Sequence, residues 1–153
     1  KRLRAAKARG LQLGLDGVEW MVADAFECPV RNADRILIDA PCTSTGILRS
    51  HPTFKWRLNK RRLMGLMSIQ HRILDAVVRE YSRRPGTEIV SILPHEGESQ
   101  IDSIMKEHDI ELLDPLVSGS PGYAGFLCSD SVRRFLPHRH GSSGFFIARF
   151  RIR

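Results

Sequence analysis

The stretch Arg35-Ile-Leu-Ile-Asp-Ala-Pro-Cys-Thr-Ser-Thr-Gly46 decides how the rest of the chain is read. Ile36, Leu37 and Ile38 form an unbroken apolar run that stops at Asp39. Continuous runs of this kind, rather than alternating ones, mark strands of a parallel sheet that are covered on both faces. A carboxylate at the carboxyl end of such a strand faces the crevice in which open α/β sheets bind their ligands. Pro41 then restricts the backbone just before Cys42, which holds a thiol in a defined place outside the strand.

The pattern extends in both directions from this point. Downstream, Leu63, Leu66, Met67, Ile69, Ile73, Leu74, Val77 and Val78 recur at mostly three- and four-residue steps, which predicts a helix that Arg84-Pro-Gly86 ends. Residues 88–93 predict a strand, and residues 99–108 an amphipathic helix with Ile101, Ile104 and Met105 turned inward. Residues 132–137 and 144–151 predict two closing strands parted by the turn 138–143. Upstream, residues 18–24 repeat the pattern of an apolar run ending in an acid, Asp24, and predict a further buried parallel strand; residues 1–13 predict a helix. This order is the second half of a doubly wound α/β sheet with an antiparallel edge. Asp24, Asp39 and Cys42 are then expected in one crevice. A strand leading into a glycine-rich turn, the usual opening of a nucleotide-binding α/β fold, is missing from the sequence, and the first strands are expected ahead of Lys1.

At 153 residues the chain is sized for one domain, taken here as a single partial domain over residues 1–153. No apolar run approaches the roughly 20 residues of a membrane span, and the basic N-terminus lacks the apolar core of a secretory signal. Three widely spaced cysteines suit neither a disulfide framework nor a zinc pattern, so a reducing, cytoplasmic setting is expected, without bound metal and as a monomer. The net charge of +7 would attract polyanions, and it is concentrated in segments 1–9, 49–62 and 133–140. The last of these holds a His-Arg-His turn, whose histidines are expected to face solvent or phosphate.

Asp39-Ala-Pro-Cys-Thr-Ser-Thr-Gly46, followed by Arg49, Pro52, Lys55 and Trp56, resembles the fourth motif of the RNA cytosine-5 methyltransferases. Phe135-Leu-Pro-His-Arg-His-Gly-Ser-Ser-Gly-Phe-Phe-Ile-Ala148 is similar to that family's C-terminal motif, and Val22-Ala-Asp-Ala25 to its third. The resemblance implies a Rossmann-like methyltransferase fold using S-adenosylmethionine, with a tRNA or rRNA substrate. It implies that Asp24, Asp39 and Pro41 contact the cofactor, Asp24 at its adenine end. Asp39 would lie between the methionine end and the target base. The chemistry accounts for the thiol. C5 of cytosine is a poor nucleophile until a thiolate adds at C6 and raises the electron density at C5. In the family two cysteines share this work, an attacking one in a Thr-Cys-Ser segment of the next strand and the Pro-Cys one, here Cys42, which assists release. Lys55, Arg57 and Arg139 are expected to form a phosphate-binding rim. Trp56 would either stack on a base or, the preferred reading, fill a gap beneath the loop.

The sequence departs from the family at one decisive place. Where the Thr-Cys-Ser segment is expected, Glu88-Ile-Val-Ser-Ile-Leu93 passes straight from Val90 to Ser91, and the attacking cysteine is absent, through a genuine deletion or through omission of that segment from the chain. Ser91 is no substitute, because a hydroxyl has a far higher pKa and no base accompanies it. The chain as written is therefore expected not to methylate, and a non-catalytic RNA-binding protein on a methyltransferase scaffold is the alternative function. A DNA cytosine-5 methyltransferase, whose Pro-Cys thiol is itself the nucleophile, would carry a Glu-Asn-Val segment on the next strand; Glu88-Ile-Val90 is not one. Cys28 and Cys128 match no motif and are expected to be packing residues.

Overall fold

The computed structural model describes residues 1–57, 59–93 and 97–153, with the side chain of Arg57 excepted. Helix α1, Arg2–Gln12, leads through an irregular segment to strand β1, Arg35–Asp39. Two 3-10 segments follow, Thr45–Ile47 and Pro52–Arg57, and then helix α2, Lys60–Tyr81. Asn59 caps α2 by accepting the Arg62 backbone N–H at 2.8 Å. The buried side of α2 is Gln70, Ile73, Leu74, Val77, Val78 and Tyr81, the stripe that the three- and four-residue spacing predicts. Strand β2, Glu88–Leu93, helix α3, Gly97–Glu107, strand β3, Ile110–Leu113, and strand β4, Val132–Phe135, come next. A short helix α4, Pro137–His140, leads into strand β5, Phe145–Ile152.

The sheet order is β1-β2-β5-β3, with β4 also paired to β5. β1 and β2 are parallel, with Asp39 opposite Ile92; β2 and β5 are antiparallel, with Ser91 opposite Ala148. The other side of β5 is shared, β4 running along Phe145 to Ala148 and β3 along Arg149 to Ile152. Phe146, Ala148, Phe150 and Ile152 alternate inward along β5 and join Ile89, Leu93, Leu74, Ile101 and Ile104 in one core. A Cβ on Gly97 would lie 2.2 Å from the Phe146 ring, so the start of α3 reaches its place on β5 only with glycine there. No helix among the described residues is long and apolar enough to cross a membrane.

Four details differ from the sequence reading. Residues 18–24 form no strand, and Val22 is 82% exposed; an apolar run becomes a strand only beside a partner ladder, and among the described residues β1 pairs with β2 alone. β1 is accordingly an edge strand with Leu37 exposed, not a strand buried on both faces. The antiparallel strand β5 lies inside the sheet, not at its edge, and β3 is an element that Ile110-Glu-Leu-Leu113 is too short to announce. Part of the turn 138–143 winds into α4 behind Pro137, which suits the first turn of a helix.

Candidate active site at the Pro-Cys loop

Asp39 is the last residue of β1, at the carboxyl end of the strand, and is exposed. The loop after it is tied at three points. Gln70, fully buried on α2, donates its amide to the Pro41 carbonyl at 2.9 Å. The buried hydroxyls of Thr43 and Thr45 lie 3.0 Å apart and share a hydrogen bond across Ser44, whose φ of +60° is left-handed. Gly46 then meets Gly144 backbone to backbone, with the Gly144 N–H donating to the Gly46 carbonyl at 2.8 Å. A Cβ on Gly46 would stand 2.1 Å from the Gly144 oxygen, so this junction excludes any side chain. The loop is thus suspended between α2 and the start of β5, and Cys42, half-buried, is held with it.

Two cavities meet at Asp39. A small one of about 140 Å³ is lined by Asp39, Cys42, Ser44, Ile92, Leu93 and Phe145. On the other side a cleft of about 500 Å³ runs past Asp39, Ala40 and Pro41 to Ala25 and Tyr81, and its walls are mostly apolar. The fold therefore brings Asp39, Pro41 and Cys42 together. Asp24 is not among them: its exposed carboxylate accepts the Phe26 N–H at 3.0 Å, closing its own turn, and only its neighbour Ala25 reaches the cleft.

β2 runs unbroken through Val90 and Ser91, which pair with Leu37 and Ile38. Ser91 is fully buried, its hydroxyl has no hydrogen-bond partner among the described residues, and it does not line the pocket that holds Cys42. The end of β2 beside Asp39 is apolar, Ile92 and Leu93, and brings no nucleophile.

Beyond the Gly46–Gly144 junction lies a larger cavity of about 840 Å³. Arg49 and His138 both line it, which draws the basic segments 49–62 and 133–140 to one place. Arg139 is exposed on α4 beside it. Lys55 is also exposed, with its ammonium 4.8 Å from the centre of the Trp56 ring. Trp56 is 81% exposed, so it fills no gap beneath the loop; a 3-10 segment lying on the surface turns it to solvent. The Arg57 side chain lies outside the described residues. His140 uses Nδ1 to accept the Leu136 N–H at 2.8 Å and so has a local structural task.

Sequence reasoning missed the buried pair beneath this cavity. Arg134 donates through its guanidinium to both carboxylate oxygens of Glu98, and both side chains are almost fully buried. Burial alone would push the Glu98 carboxyl up; the hydrogen bonds from Arg134 and from the Tyr123 N–H outweigh it and hold it below the ordinary carboxylate range. The signal was available: Glu98 sits one turn before Ile101, and Arg134 shares strand parity with Val132, so both occupy core-facing positions. Asp102 accepts the backbone N–H groups of Leu127 and Cys128 and fixes the adjoining loop. Burial, with Asp102 beside it, pushes the Cys128 thiol far up, as a packing residue requires. The metal-capable grouping among the described residues lies elsewhere: Asp75, Glu107 and His108 between α2 and α3, where His108 already bonds Asp75 at 2.9 Å.

Comparison with known proteins places this geometry. Ribosomal RNA small subunit methyltransferase B of Pectobacterium atrosepticum is 36% identical over 126 residues, which cover 80% of this chain and 27% of that protein. The same-named protein of Photorhabdus laumondii is 38% identical over 120 residues, 76% of this chain and 25% of that one. The chain thus spans about a quarter of the length of these relatives. Among solved structures, NSun6 from Pyrococcus horikoshii, crystallised with SFG, superposes with a TM-score of 0.85 at 28% identity over 99% of this chain and 38% of that one. The fold is accordingly the Rossmann-like fold of the S-adenosylmethionine-dependent methyltransferases. With the family model for 16S rRNA methyltransferase RsmB/F matching residues 1–151, the chain belongs to the RsmB/F family.

Proposed function

We propose that this chain forms the C-terminal part of the catalytic domain of an enzyme that transfers a methyl group from S-adenosylmethionine to C5 of cytosine in rRNA or tRNA. The observation that carries the reading is the placement of Asp39. It stands at the junction of a small pocket shared with Cys42 and a longer apolar cleft shared with Pro41. The cleft suits the cofactor: apolar walls for a flat base, and a carboxylate at the end nearest Cys42 for a cationic group. The relative crystallised with SFG, an analogue of S-adenosylmethionine, supports the same use of the fold. When bound, S-adenosylmethionine supplies an electrophilic methyl on a sulfonium. Asp39 and Pro41 would line its methionine end, and Asp24 would flank the far end through Ala25. Asp39 would also orient the base by accepting its exocyclic N–H, while Cys42 assists release of the methylated product. Lys55, Arg57 and Arg139 would hold phosphates at the rim, where an unstacked base of single-stranded RNA can enter at little cost.

A second reading has its own observation. Addition at C6 needs a thiolate from β2, and Ile92 and Leu93 stand there instead. On this ground the chain itself binds RNA in the pocket without transferring a methyl group. Photocrosslinking with single-stranded RNA containing 5-iodocytidine tests the placement directly, since the reactive atom is carried on C5. Crosslinked peptides spanning residues 39–47 or 144–146 are expected. Crosslinks confined to another face would overturn the proposal. A parallel incubation with labelled S-adenosylmethionine should give background transfer; robust transfer would return the attacking role to Cys42.

A further inference from the structure

We infer that the cavity beyond the Gly46–Gly144 junction is a nucleotide subsite in which Tyr123 stacks on the base next to the target cytosine. This rests on the reading of the Asp39–Cys42 pocket as the place of the target base. The two spaces share Gly46, Gly144 and Phe145 as a common wall, so a strand of RNA leaving one enters the other. At about 840 Å³ the cavity is of a size that holds a nucleotide.

The construction around Tyr123 is what singles out the cavity. Its ring lies over the Arg134 guanidinium, 4.2 Å from ring centre to the guanidinium carbon. Arg134 in turn is fixed by Glu98 and lies 5.4 Å from the Phe146 ring centre. The Tyr123 backbone is held at both ends, its N–H donated to Glu98 at 3.0 Å and its carbonyl accepting from the Ser129 hydroxyl at 2.5 Å. Loop residues are ordinarily mobile, yet this one has a buried ion pair beneath it. With one face of the ring on Arg134, the residue is still 49% exposed and lines the cavity. A ring backed by a cation is depleted of electron density and stacks well on an electron-rich base. Arg49 and His138 on the same wall are placed to meet the flanking phosphate. Stacking tolerates any base, so the subsite adds affinity and register without reading sequence.

The test is the affinity of the chain for a short single-stranded RNA carrying one central cytosine, followed by fluorescence anisotropy. Tyr123→Leu keeps Arg134 covered by an apolar side chain but removes the flat face, and should weaken binding about tenfold. Tyr123→Phe and Tyr123→Trp should bind like the parent, which separates stacking from a hydroxyl contact. Replacing the base neighbouring the cytosine by an abasic site should produce the same loss in the parent and no further loss in Tyr123→Leu. Equal affinity of Tyr123→Leu and parent, or an abasic effect undiminished by the substitution, would overturn the subsite. If 5-iodocytidine still crosslinks at residues 39–47 in that case, the pocket reading stands and only the subsite falls.

Discussion

Glu98→Gln puts the buried pair to a quantitative test. The side chains of Glu98 and Arg134 are 2% and 3% exposed, so neither charge is shared with water. Glutamine preserves the shape and leaves one oxygen to accept, but the guanidinium then faces a neutral amide and the Tyr123 N–H competes for the same oxygen. Breaking one partner of a buried pair costs about 3–5 kcal/mol, and the retained acceptor places this substitution near 3 kcal/mol. For a chain of this length that corresponds to a melting temperature lower by roughly 6–12 °C. The pH profile supplies a second measurement. Because the Glu98 carboxyl is held below its ordinary value in the fold, the unfolded state binds more protons in acid. Its stabilising contribution is complete above the ordinary carboxylate pKa of about 4.3 and is lost as pH falls through the lower folded value. Urea unfolding from pH 3 to pH 7 should therefore show a flatter acid limb in Glu98→Gln than in the parent. The double change Glu98→Leu, Arg134→Met should recover most of the loss at pH 7, since apolar replacement of a whole buried pair is often neutral. A single variant within about 1 kcal/mol of the parent, with its acid limb unchanged, would refute the assignment of this pair as a structural anchor.

Other substitutions probe the loop, the rim and the thiols. Gly46→Ala, whose methyl would stand 2.1 Å from the Gly144 oxygen, should cost about 2 kcal/mol or more in urea unfolding; Gly144→Ala, which meets Gly46 Cα at 3.1 Å, should cost less. Lys55→Ala, Arg57→Ala and Arg139→Ala should each lower the salt-dependence slope of single-stranded RNA binding by about 0.7, and three unchanged slopes would move the RNA to another face. A thiol reagent at neutral pH should label Cys42 and Cys28 in the folded chain and reach Cys128 only on unfolding; rapid labelling of Cys128 would contradict its burial.

Much of this protein is written in local pattern. The stripe from Leu63 to Tyr81 carries a helical periodicity, and the short apolar runs before Asp39 and within Glu88–Leu93 suit strands; all three elements stand at those positions, although β1 is exposed at Leu37. The succession of Pro41 and Cys42 after a strand-end acid is likewise local, and Asp39 and Cys42 do line one cavity. That β2 holds no cysteine is also a matter of sequence, and its Ile92 and Leu93 line the cavity beside Asp39. What depended on partners far along the chain could not be read this way. Among the described residues, 18–24 have the composition of a strand but join no ladder, and Trp56 has the composition of a core residue but stands 81% exposed. The insertion of β5 between β2 and β3, the contact of Gly46 with Gly144, and the Glu98–Arg134 pair supporting Tyr123 join residues 25 to 98 positions apart. Local sequence sets which face of an element is apolar, whereas which faces meet is set by the packing of the whole chain; the loop that holds Cys42 and the wall beside it belong to the second kind.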